Sequence, residues 1–191
     1  MSFIPIEIQE GAIALYHEVV ARIWVILKAV YTHPEMLWLI TPVVISMVLI
    51  SYYFGKYKKE ELGWNTAFGN SIVMLFACVD LFRHLHGREL LGFNTYTMLV
   101  AVVMGEGVLL MLLNFLHALP KSFAFALSSG MTVNSILIFL VVIVYGQVQL
   151  DYITALAVTA LSLLIILLLK IMQFIEWPSE DEEEEDNKSK A

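Results

Sequence analysis

Residues 93–117 read FNTYTMLVAVVMGEGVLLMLLNFLH, an apolar stretch with one formal charge, Glu106. A helix of about 20 residues, rising 1.5 Å per residue, crosses the ~30 Å hydrocarbon layer of a bilayer. This stretch is therefore long and apolar enough to span one. Four more windows of the same kind flank it. Residues 36–54 carry no charge but contain Pro42, and residues 64–84 stay apolar as far as Asp80 and Arg83. Residues 122–146 carry no charge, and residues 152–172 carry only Lys170 near their end. A backbone in lipid must satisfy its own hydrogen bonds, and the alternating ten-residue strands of a barrel are absent, so all five read as helices. The fold class expected is an all-α integral membrane protein, with a five-helix bundle over residues 35–175.

Composition agrees. The chain has 191 residues, 59% hydrophobic and 15% charged, with a mean hydropathy of +0.77. Soluble domains are about 45–50% apolar and about 25% charged. The net charge of −7 belongs almost wholly to one end: residues 176–191 hold eight acids and two lysines, against ten acids and nine bases elsewhere. The body is nearly neutral, which excludes a nucleic-acid binder built on positive charge. The acidic tail reads as disordered and solvated. It has the charge to dock a basic cytoplasmic partner and to be repelled by an anionic leaflet.

Residues 1–34 form a separate unit. A 100° step per residue gathers Glu7, Glu10, His17, Glu18, Arg22 and Lys28 on one face. Ile13, Tyr16, Val20, Ile23, Trp24 and Leu27 fall on the other. This is an amphipathic helix, expected to lie in the membrane interface with its charges in water. The alternative is a sixth span with its charged face turned inward. His33-Pro34 breaks this helix ahead of the first span.

Orientation follows the lysines of the short loops. Lys56, Lys58, Lys59, Lys121 and Lys170 share one side, taken as cytoplasmic together with the tail. The N-terminus then lies outside, the membrane is the cell membrane, and no secretory signal is expected.

Glu106 is the strongest functional signal. It stands fourteenth of 25 residues in its span, between Gly105 and Gly107. A carboxylate at that depth is costly and marks either an ion or proton site or an interhelical hydrogen bond. Asn134 lies at the same depth in the fourth span, and Asp80 would be an outer station of the same pathway. Asn70 and Arg83 complete the expected set, although Asp80 and Arg83, three apart, also read as an intrahelical ion pair. Asn70-Ser71-Ile72-Val73 is faintly echoed by Asn134-Ser135-Ile136-Leu137.

Asp80, His84 and His86 have a spacing that can hold a metal, but no HExxH motif or cysteine cluster supports them, so no metal and no cofactor is expected. Asn114, Ser128, Ser129, Gly130 and Thr132 read as packing contacts, with Ser128-Ser129-Gly130 a possible break in the fourth helix. Cys78 stands alone, and no catalytic motif occurs. Spans two to four should form the inner surface and spans one and five the periphery. The function expected is a small, oligomeric transporter or channel-type protein with an intramembrane carboxylate. The alternative is a non-catalytic membrane subunit or assembly partner of a larger complex.

Overall fold

A computed structural model describes residues 6–57 and 61–175. The acidic tail and two loop lysines, Lys58 and Lys59, lie outside the described residues. Seven α-helices follow one another, with no strand among the described residues: α1 (Ile6–Thr32), α2 (Leu37–Lys56), α3 (Trp64–Gly87), α4 (Thr95–Phe115), α5 (Lys121–Leu127), α6 (Gly130–Tyr145) and α7 (Tyr152–Ile175). A 3-10 turn, Pro34–Met36, joins α1 to α2 directly after His33, where the His-Pro pair stops the first helix.

Five segments are long and apolar enough to cross a membrane: Pro34–Lys56, Trp64–Gly87, Thr95–Phe115, Lys121–Tyr145 and Tyr152–Gln173. α1 is not among them. The fourth segment is two helices rather than one. Serine side chains compete with the helix ladder, and here they end one helix and start the next. The backbone of Ser129 is extended, and its hydroxyl caps α6 by accepting from the Thr132 N–H at 3.0 Å. Gly130 follows, with the Ile50 side chain of α2 against it: a Cβ there would come within 2.8 Å of Ile50 Cδ1.

The helices converge on α6. The α5–α6 segment is 61% buried, against 11% for the segment containing α2. Val133, Leu137, Leu140, Val141 and Val144 of α6 pack on Met74, Cys78, Leu81 and Leu85 of α3. α3 and α4 form an antiparallel pair, and α2 lies against both α6 and α7. The first span packs on α6 yet is the least buried of the five, in keeping with the expectation that it is peripheral. α4, expected inside, packs chiefly on α3 and turns Val102, Leu109 and Leu112 outward. Large apolar side chains also cover the outside of α2 and α7, among them Ile45, Leu49, Leu163 and Leu167.

The two ends of the bundle are tied differently. At the lysine end, Lys121 pairs with Glu61, holding the Glu61 carboxyl below its ordinary value. The Trp64 ring is wedged between His117 and Phe125 with centroids 4.3 and 5.0 Å away. At the opposite, histidine end, Arg88 donates to Glu35 at 2.8 Å and the Tyr96 hydroxyl donates to the Gln147 carbonyl at 2.7 Å.

α1 docks at the histidine end by its C-terminal half. Ile26 and Ala29 are buried, and Ala29 sits so close to Gly146 that a Cβ on that glycine would approach it to 2.7 Å. Arg22, expected on a water-facing side, instead reaches the α6–α7 connection. It donates to the Gln149 carbonyl and Thr154 Oγ1, both at 2.7 Å, and to Asp151 Oδ2 at 2.8 Å. Ile13, Tyr16, Trp24 and Leu27 of the expected apolar face stay exposed.

Candidate functional site

The residues singled out in the sequence separate into three places. The first is a lateral groove of about 400 Å³ between α2 and α3, floored by α6. Leu39, Pro42 and Val43 form one wall, and Val73, Phe76 and Ala77 the other. Three polar residues also line it: Ser46, Asp80 and Asn134. α2 and α3 run in opposite senses. Asp80 and Leu39 therefore mark the end of the groove nearer the histidine end, while Ser46 and Val73 lie close to the middle of their helices. Asn134 is 5% exposed, and its Nδ2 is buried without a hydrogen-bond partner. An unmade bond of this kind costs about 1–3 kcal/mol, which marks the position as one that a ligand or water would satisfy.

Asp80 is paired with Arg83, one turn away on α3, and the Arg83 side chain is 82% exposed. The expected intrahelical ion pair is thus formed. His84, four residues from Asp80, stacks on Tyr145 of α6 with centroids 3.7 Å apart and planes at 25°. His86 is exposed. Among the described residues no three of His, Cys, Asp and Glu gather as a metal-holding group, so Asp80, His84 and His86 form no ligand set.

The second place is the break between α5 and α6. Asn114, 1% exposed, points its Nδ2 at Ser128 Oγ (2.8 Å), with Ser71 Oγ and the Ala67 carbonyl each 3.3 Å away. Asn70 donates to the Ser128 carbonyl at 2.8 Å, and the Thr132 hydroxyl donates to the Ala126 carbonyl at 2.8 Å. The carbonyls freed by the break are thus taken up by side chains of α3 and α6. Asn70 belongs to this cluster and not to a pathway with Asn134. Asn114 Oδ1 remains buried and unpartnered.

Glu106 stands apart from both. It lies on the exposed side of α4, while its neighbour Gly107 packs under Leu75. Gly105, on Glu106's other side, has open space where a Cβ would be. The expected partnership between Glu106 and Asn134 does not form: the first is exposed on α4 and the second lines the groove between α2 and α3. Sequence reasoning placed both at one depth but had no means of placing them around the bundle. No motif marks the groove walls, and the polar-face reading of Arg22 gives no sign of its acceptors on the α6–α7 connection. In comparisons with known proteins, no family matches this chain, and no curated protein or solved structure matches it either.

Proposed function

We propose that the protein is a multi-pass membrane protein that works as a subunit of an oligomer or of a larger membrane complex, with the outward face of α4 as its contact surface. One observation carries this reading: Glu106 sits halfway along an apolar helix, on its exposed flank beside the buried face. With α4 spanning a bilayer, an unpartnered charge there costs roughly 2.5–3.5 kcal/mol on insertion scales, and a contacting helix removes much of that cost. The small Gly105 beside it lets another helix approach closely. In this reading the lysine end faces the cytoplasm of a cell membrane, the acidic tail meets a basic partner there, and the exposed apolar side chains of α1 lie in the outer interface.

A second reading is transport, favoured by the mid-depth of Glu106 and by the Asp80–Asn134 groove. Because these do not join within one chain, a path through Glu106 would run between subunits. Native mass spectrometry from mild detergent, with proteoliposome flux in parallel, tests both readings. Glu106→Leu is expected to lower the assembled fraction at least tenfold, while Leu163→Ala on α7 leaves it unchanged. Undiminished assembly of Glu106→Leu would remove the contact role. Proton or cation flux that survives Glu106→Gln would remove the transport role.

A further inference from the structure

The groove between α2 and α3 has features that neither subunit contact nor an ion pathway requires. Its walls are apolar, it opens sideways, and its volume of about 400 Å³ falls within the range of small-molecule sites. Its floor holds one buried amide with an unused donor, Asn134 Nδ2. Rotation about χ2, a soft torsion, turns that N–H2 toward the groove the side chain lines. What the amide lacks is an acceptor.

Depth and charge narrow what the acceptor is. Asn134 lies opposite Ser46 and Val73, near the middle of the spanning helices. Phospholipid ester carbonyls lie about 15 Å away, at the edge of the ~30 Å hydrocarbon layer. At the other end of the groove stands Asp80, an acid whose Arg83 partner points outward with its side chain 82% exposed. Paired with Arg83, Asp80 leaves the mouth with no net positive charge to hold an anion such as a fatty acid or a phosphate, and its second oxygen accepts from a hydroxyl or amide.

We propose that this groove binds a neutral, membrane-dissolved carbonyl compound, with its oxygen accepting a hydrogen bond from Asn134 and its apolar body lying between Pro42, Val43, Val73 and Ala77. A quinone and a neutral acylglycerol share this chemistry. The inference rests on the membrane placement proposed above but not on assembly, because binding is read on purified protein whatever its oligomeric state.

The experiment follows thermal unfolding of the full chain in detergent, titrated with a decyl-substituted benzoquinone, with a monoacylglycerol, and with decylbenzene as a carbonyl-free control. At least one carbonyl probe is expected to raise the midpoint saturably by several degrees, and decylbenzene is not. Which of the two does so identifies the source. Asn134→Leu removes the donor, and Val73→Trp fills the groove from an exposed position. Each is expected to weaken binding at least tenfold while keeping a cooperative transition of its own. If Asn134→Leu does not fold, Val73→Trp decides. Equal shifts from decylbenzene, no saturable shift from either carbonyl probe, or undiminished binding in the folded variants would overturn the proposal.

Discussion

Replacing Asn114 by alanine is expected to lower folding stability by about 2–3 kcal/mol, the largest loss for any polar side chain in the bundle. The substitution strips Ser128, Ser71 and the Ala67 carbonyl of a shared donor in a fully buried position, and it opens a small cavity. The estimate stays moderate for two reasons. Asn114 Oδ1 is already unpartnered, so its removal relieves a standing cost. Hydrogen bonds between membrane helices also average only about 0.6 kcal/mol, with a maximum near 1.7. Unfolding in mixed micelles measures the loss, and a double-mutant cycle with Ser128→Ala isolates the shared bond. A coupling near zero would show that the α5–α6 break is held by packing alone. Asn70→Ala should cost less, because Asn70 is half-buried and makes a single bond to the Ser128 carbonyl.

Arg22→Ala should release α1 from the bundle, with a loss of about 2 kcal/mol in docking free energy. Three charge-assisted bonds disappear together, and such bonds contribute about 1.5–3 kcal/mol each when buried and less at this partly exposed site. Hydrogen exchange of the α1 amides reads the effect, since local opening speeds exchange there without unfolding α2–α7. Unchanged protection would mean that Ile26 and the Ala29–Gly146 contact suffice.

Asp151 adds a pH dependence to the same clamp. Its carboxyl is held below the ordinary aspartate value chiefly by the Thr154 N–H it caps, then by the Thr154 side chain and Arg22. Thr154 keeps its share of that effect when α1 undocks, so only the Arg22 share stabilises docking, and it does so fully at every pH above the undocked value. That stabilisation is lost as the pH falls through the lower folded value. α1 protection should therefore be flat from neutral pH down to about 5 and decline only in stronger acid.

The five segments long and apolar enough to span a membrane were legible because length and hydropathy are one-dimensional properties, and so was the stop at His33-Pro34. What the sequence did not reveal was azimuth. In a soluble helix the polar face declares which side is outward, but lipid is as apolar as a core. α4 therefore looks nearly alike on its buried Val100–Val103–Gly107 side and its exposed Val102–Glu106–Leu109 side. Glu106 was placed correctly along the helix and had no determinable direction around it. Arg22 misled for the opposite reason. Its charge read as solvent-facing, and only the fold supplies the Gln149, Asp151 and Thr154 acceptors that it turns toward. The Ser128–Ser129 break was anticipated as one of two readings, because serine pairs before a glycine favour caps. That its freed carbonyls would be taken up by Asn70 and Thr132 depended on contacts a linear reading cannot hold.

The convergence on α6 bears on how the chain is made. α3 and α4 are sequence neighbours and can pair as a hairpin as soon as both have emerged from the ribosome. α2 has no such neighbour, because its main partner, α6, is translated only after α3, α4 and α5. At about 5–20 residues per second, α2 waits several seconds with its α6-facing side uncovered. A nascent chain stopped short of Gly130 thus holds a finished hairpin and an unpaired helix, and the bundle closes only when its second-to-last helix is delivered.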